Sequence, residues 1–190
     1  MRLKRRDQLD MSNKFARAAW QVAWLLLYRP TPRVWHGWRA FLLRCFGAKI
    51  GSPAYIYPSS RVWAPWNLEM GIHSTLADGV ECYCVDKVTL GSFSTVSQFS
   101  YLCTASHDYL DPAILTQPQM PLVTGPITIG DRVWITTDVF VAPGVTIGDG
   151  AVVLARSSVF GDIPEWTVAA GNPAKPIRKR VLRDPAAPAP

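Results

Sequence analysis

Three histidines, His36, His73 and His107, are the side chains of this 190-residue sequence best suited to moving a proton near neutral pH. An unperturbed imidazole titrates there and can serve as a general base. No two histidines are spaced as a metal-binding pair, and none of the four cysteines, Cys45, Cys82, Cys84 and Cys103, falls in a CxxC or other zinc spacing. No metal is therefore expected. Asp108 and Asp111 follow His107; such carboxylates can orient an imidazole, bind a hydroxyl or shape a turn. Near the end come Lys175, Arg178, Lys179, Arg180 and Arg183. Cation clusters of this kind meet phosphate, acidic lipid or nucleic acid. Without aromatics interleaved among the basic runs, nucleic acid is not the expected partner.

The elements that must position these groups show in a hydrophobic repeat. Ile129, Ile135, Val141, Ile147, Val153 and Val159 recur every six residues, with Gly after Ile129 and Ile147 and a small or β-branched residue four places after an apolar one. Six is neither a helical nor a simple strand period; it suits a parallel β-solenoid whose flat faces each take one hexapeptide. The repeat opens at Ile50-Gly51, Ile56, Val62 and Leu68, slips phase around Met70–Ile72, and resumes at Leu90, Val96 and Leu102. From Thr104 to Pro126 it stops. That stretch holds Pro112, Pro118, Pro121 and Pro126 and reads as a loop thrown out between coils, the kind of long loop that is more often functional than decorative. His107 sits where coil gives way to loop, His73 in the phase slip, and His36 among helices.

Three segments follow from this pattern. Residues 1–48 form a basic tail and helical segment, 49–180 the β-helix with its loop 104–126, and 181–190 a Pro/Ala-rich tail. Residues 1–11 are expected to be poorly ordered. One helix is expected from Ser12 or Asn13 to Tyr28 and a second from Val34 to Phe46, stopped by Gly47. Trp20 and Trp24 share a face, which either packs on the solenoid or a neighbouring subunit, or lies in a membrane interface. The apolar run Val22–Tyr28 is too short to cross a bilayer, which takes about 20 residues. Hydrophobic residues at 48% against 18% charged indicate a folded chain. Cys82 and Cys84 share a strand face, which suits packing, and the reducing cytoplasm is the default location, against the inner face of the membrane if the N-terminus docks there.

Taken together, the Ile-Gly hexapeptides, Cys103-Thr104-Ala105-Ser106-His107-Asp108, Val133-Trp134-Ile135, Val141-Ala142-Pro143-Gly144-Val145-Thr146-Ile147-Gly148 and Ala170-Gly171-Asn172-Pro173-Ala174-Lys175 resemble the hexapeptide-repeat acyltransferases over roughly residues 35–180. Trp38–Arg44, Phe46–Gly51, Pro65-Trp66-Asn67-Leu68-Glu69 and Ser106–Tyr109 resemble the colanic-acid type that modifies exopolysaccharide. The resemblance implies an all-β solenoid, a left-handed parallel β-helix, assembled as a homotrimer with acetyl-CoA between subunits. It implies acetyl-CoA-dependent O-acetyl transfer to a sugar hydroxyl in surface-polysaccharide synthesis, on a nucleotide- or polyprenyl-linked acceptor. A small free acceptor, or a non-catalytic trimeric scaffold, is the alternative. His107 matches the family's catalytic histidine. Asp108, Asp111, Glu81 and Tyr83 are acceptor-side candidates, with Glu81, Cys82 and Tyr83 expected to stack beneath His107. The donor side is assigned to Trp134, Thr136, Thr137, Ala155, Arg156, Asn172, Pro173, Ala174, Lys175, Arg178 and Arg180. Thr136-Thr137 and Ala155-Arg156 depart from the small residues usual there.

Overall fold

The computed structural model describes residues 4–6, 11–110 and 120–183, with backbone alone for 4–6. Its body is a left-handed parallel β-helix of three faces. The first face stacks Lys49–Ile50, Leu68–Met70, Val88–Leu90, Ile127–Ile129 and Thr146–Ile147. The second stacks Tyr55–Ile56, Thr75–Leu76, Thr95–Val96, Trp134–Ile135, Val152–Val153 and Thr167–Gly171, on which Ala174–Lys179 folds back antiparallel. The third stacks Arg61–Val62, Glu81–Tyr83, Tyr101–Cys103, Phe140–Val141 and Ser158–Val159. Parallel pairing puts like on like: Ile50, Met70, Leu90, Ile129 and Ile147 form one buried column. Val62, Cys82, Leu102, Val141 and Val159 form another. Each short strand sends one main side chain inward, which is the physical origin of the period of six.

Two of the three corners are tight and uniform. Between the first and second faces, His73, Phe93, Arg132, Gly150 and Trp166 take positive φ, and between the second and third so do Gly79, Phe99, Asp138 and Arg156. The residue after each is small or β-branched and buried, as at Ser74, Ser94, Ser100, Val133, Val139 and Ser157. Where it is serine its hydroxyl donates to a carbonyl, Ser94 to Gly130 at 2.7 Å and Ser100 to Thr136 at 2.9 Å. Gly91 shows why Gly follows the apolar position: a Cβ there would lie 2.4 Å from the Gly130 carbonyl of the next coil.

The third corner is the variable one. It carries a 3-10 turn at Pro65–Asn67 in the first coil, a bend of equal span through Cys84–Lys87 in the second, and the excursion in the third. The phase slip expected at Met70–Ile72 therefore belongs to the corner before it. Asn67 Nδ2 stitches the first two bends, donating to the carbonyls of Cys84 and Val85, both at 2.9 Å.

Helix α1 (Met11–Ala23) continues as a π-helical stretch through Tyr28, and α2 spans His36–Cys45. The carbonyls of the first coil have no coil below them, and side chains from these helices supply the donors. Trp20 Nε1 donates to Val62 O at 2.6 Å, Trp24 Nε1 to Ser60 O at 3.0 Å, Arg39 Nε to Ile56 O at 2.6 Å and Arg44 Nε to Ile50 O at 3.0 Å. Tyr28 Oη shares a 2.7 Å hydrogen bond with Ser60 Oγ. Trp20 and Trp24 are thus buried on the solenoid and are not interfacial anchors. Cys82 and Cys84 pack in the core. Among the described residues no helix is long and apolar enough to cross a membrane.

Candidate active site

His107 ends a short strand, Ala105–His107, that leaves the solenoid at the third corner. The expectation of a loop throughout 104–126 needs correction here. Ala105–His107 pairs antiparallel with Leu122–Thr124, and Lys4–Arg6 adds a third strand to that pair, so this part of the N-terminal tail is ordered by the arm it joins. An exposed edge on Leu122–Thr124 would otherwise keep unpaired backbone groups. Buried Thr104 anchors the arm. Its Oγ1 donates to Tyr83 O at 2.9 Å and accepts from Asp86 N at 2.9 Å, while its carbonyl accepts from Gly125 N at 3.0 Å.

The half-buried imidazole of His107 directs Nδ1 at the Met120 carbonyl, 3.0 Å away. A carbonyl only accepts, so Nδ1 carries the proton and the lone pair falls on Nε2. This is the tautomer of a general base. Asp108 Oδ1 accepts from Leu110 N at 3.2 Å, and Asp108 N donates to Pro121 O at 2.9 Å, which makes it a turn-shaping residue beside the imidazole. Asp111 lies outside the described residues.

Glu81 and Tyr83 sit beneath Tyr101 and Cys103, not beneath His107, because the arm departs before the histidine is reached. Burial pushes the Glu81 carboxyl up, with Arg61 at 3.9 Å opposing it only partly. Burial also raises the phenols of Tyr83 and Tyr101, so both remain protonated donors. Their rings belong to a ladder up the outside of the third face, Trp63–Tyr83–Tyr101–Phe140–Phe160, with centroids 5.3, 6.3, 5.8 and 5.6 Å apart.

The donor-side candidates gather on the second face and the corner after it. Trp134 is half exposed, its Nε1 donating to Ser97 Oγ at 3.0 Å. Thr136 Oγ1 donates to Val153 O and Thr137 Oγ1 to Gln98 O, both at 2.9 Å. One coil on, exposed Ala155 precedes Arg156, which pairs with Asp138 at 3.5 Å. A depression of about 420 Å³ lies between these last two and Phe99, Tyr101 and Phe140. Asn172 and Pro173 make the turn into the final strand, which begins at Ala174 and Lys175 by this corner. That strand runs back across the face, so Arg178 pairs with Val168 and Arg180 reaches the opposite corner. There Arg180 Nη1 donates to Arg132 O and Gly150 O, both at 2.8 Å. Arg180 thus stands apart from the other candidates.

No family model matches the chain. It is 47% identical over 162 residues to the protein provisionally named as the colanic acid biosynthesis acetyltransferase WcaF of Escherichia coli K12, covering 85% of this chain and 86% of that one. The chain belongs to the hexapeptide-repeat acetyltransferases. It is also similar to the crystal structure of a maltose O-acetyltransferase from Clostridium difficile 630, with 28% identity, a TM-score of 0.82 and coverage of 91% and 90%. A hexapeptide-repeat acetyltransferase from Vibrio cholerae complexed with acetyl coenzyme A is 26% identical, with a TM-score of 0.80 and 93% of each chain covered.

As an acetyltransferase, the chain holds its histidine at one corner and most of its donor-side candidates at another, with the face bearing Tyr101 and Phe140 between them. His36 and His73 lie elsewhere: His36 Nδ1 meets Ile56 O at 2.9 Å in the cap, and His73 stacks on Phe93 at 5.1 Å. Among the described residues no three His, Cys, Asp or Glu side chains cluster as metal ligands. The sequence reading missed Ser97, Asp138 and the Met120 carbonyl. A backbone acceptor has no side-chain signal, whereas the Thr137-Asp138 step at a repeat corner was a legible one.

Proposed function

We propose that this chain transfers the acetyl group of acetyl-CoA to a sugar hydroxyl during surface-polysaccharide synthesis. The observation that carries the reading is the Nδ1 hydrogen bond of His107 to Met120 O, which leaves the imidazole lone pair on Nε2. In this mechanism Nε2 takes the hydroxyl proton as the sugar oxygen bonds to the thioester carbonyl carbon. The tetrahedral adduct then expels sulfur, and the imidazolium returns the proton to it. Acetyl ester and free thiol balance the reaction.

The residues on hand suit the donor. Lys175 and Arg178 are solvent-accessible cations near a strip whose side chains are small or turned onto backbone, which leaves room for an extended thiol arm and charge for its phosphates. Arg156 adds charge at the same corner. Tyr83 and Tyr101 offer phenolic donors and ring faces to a sugar. WcaF and the maltose O-acetyltransferase support a saccharide acceptor by their names. A nucleotide- or polyprenyl-linked sugar is the acceptor we infer. Separate corners for base and donor support a homotrimer in which one subunit's His107 serves donor bound by the next.

The test is calorimetric titration with acetyl-CoA, followed by acetyl transfer to saccharide acceptors. Saturable binding of one donor per subunit and His107-dependent ester formation are expected. An absence of binding at millimolar acetyl-CoA would sink the assignment.

A further inference from the structure

The capping helices turn a second apolar surface outward. In α1 and its π-helical extension the inward stripe is Trp20, Trp24 and Tyr28, all buried. On the other side Met11, Phe15, Val22, Leu25 and Leu26 lie at 57%, 70%, 58%, 59% and 63% exposure. Spacings of four, seven and then three or four residues make them one stripe. Helix α2 and the turn before it repeat the arrangement, with Val34, Trp35, Trp38 and Phe41 exposed opposite buried Arg39, Ala40 and Leu43. The two helical segments meet where Trp38 Nε1 donates to Leu27 O at 2.9 Å, with the Phe41 ring 5.6 Å from that of Trp38. The inward residues are committed to the first coil's carbonyls, so the helices cannot roll to hide this surface.

We propose that this surface docks on an anionic phospholipid membrane. Charge decides the occupant. Between residues 11 and 68 the sequence contains no Asp or Glu. Lys14, Arg29 and Arg44 are exposed on the helices or just beyond them. The carboxylates that other elements bring to this end of the solenoid are already paired, Asp78 with Arg33 at 3.1 Å and Glu69 with Lys49 and Lys87, each at 2.8 Å. Glu81 likewise faces Arg61 at 3.9 Å, so among the described residues this is an apolar stripe among cations with no unpaired carboxylate, which matches lipid headgroups over acyl chains. Two copies set face to face would instead oppose cation to cation. Docking by this end leaves the corners that hold His107 and the donor strip on the sides of the solenoid, open to a lipid-linked acceptor.

The full chain is mixed with extruded vesicles of phosphatidylcholine, with and without 30% phosphatidylglycerol, and floated on a density gradient. Co-flotation with the anionic vesicles, weakened by salt and at least tenfold lower for L25S/L26S/F41S, is the expected result. Thermal melting checks that this variant stays folded, as substitution of exposed side chains should allow. Failure to float at low salt overturns the proposal, and so does equal flotation of wild type and variant. Self-association that the variant abolishes, without flotation, assigns the surface to a second copy. The assay uses neither donor nor acceptor, so its failure leaves the acetyltransferase reading intact.

Discussion

Replacing His107 by Asn and, separately, by Ala divides its chemical role from its structural one. The imidazole does two things, since Nδ1 ties the arm to Met120 O at 3.0 Å and Nε2 carries the lone pair. An Asn amide nitrogen stands at the same bond distance from Cβ as Nδ1, so Asn can keep the tie while removing the base. One neutral hydrogen bond contributes about 1 kcal/mol. His107→Ala should therefore lose about 1 kcal/mol of stability and His107→Asn about half of that or less. Both should lose kcat by about 10²–10⁴, roughly 2.7–5.4 kcal/mol of barrier at 1.36 kcal/mol per decade. Thiol release from acetyl-CoA in the presence of saccharide acceptor reads the rate, and urea denaturation reads the stability. A His107→Asn enzyme retaining a tenth or more of wild-type kcat would falsify the assignment of Nε2 as base. Equal rate loss with unequal stability is what the geometry demands.

Four further outcomes follow from particular contacts. Arg39 is fully buried and donates to Ile56 O, Pro32 O, Arg33 O and Thr31 Oγ1; Ile56 O keeps His36 Nδ1 and Pro32 O keeps Trp35 N, so Arg39→Met chiefly strands the Arg33 carbonyl, and should cost about 1–3 kcal/mol in urea denaturation; a variant as stable as wild type refutes the capping role. Gly91→Ala drives a Cβ against the Gly130 backbone, and a loss of about 2 kcal/mol or more is expected by thermal melting, with no change meaning that the coils can part. Burial raises the Glu81 pKa in the fold, so the native state holds its proton more tightly and stability falls as pH rises through and above the usual carboxylate range; Glu81→Gln should match wild type in acid and exceed it at neutral pH, and the opposite slope would contradict the desolvation. In mixed assemblies of His107→Asn and Ala155→Trp chains, each inactive alone, sites built between copies should recover about a quarter of wild-type activity, whereas sites built within one chain should recover none.

Legibility in the sequence tracked stacking. The columns Ile129–Ile147 and Val141–Val159 were readable because register repeats the same residue class coil after coil. The third corner was harder. Two added residues there shift the count without touching the inward positions, so the Pro65–Asn67 turn appeared as a slip at Met70. His107 was legible from its motif, but its strand was not. Ala105–His107 gains its partners from Leu122–Thr124, across the excursion, and that strand is flanked in turn by Lys4–Arg6. Pairings so distant in sequence leave no periodic trace. The two tryptophans of α1 show a further limit. Helical spacing put Trp20 and Trp24 on one face, but only the unpaired carbonyls of Ser60 and Val62 decided that this face turns inward.

The division of labour among corners has a physical basis. A face is hydrogen-bonded to coils above and below, so an insertion there would break two ladders. At two corners the column is fixed by a left-handed residue followed by a buried small or β-branched one, as at Phe99-Ser100 and Asp138-Val139, and each corner also bonds to its neighbours, Phe99 N to Asp78 O and Asp138 N to Gln98 O. The third corner lacks such a column in its first coils, which is why two enlarged bends and then the excursion occur there. A polar arm carrying a base can grow from that corner alone without disturbing the stack. A ligand-sized strip needs the reverse, a uniform corner whose groups repeat at coil spacing, as Gln98, Thr137 and Ala155 do. Since the two requirements oppose each other at one corner, the proposed base and the proposed donor strip fall at different corners of a chain. Close approach between them then calls for a neighbouring copy, which is the physical reason for the proposed trimer.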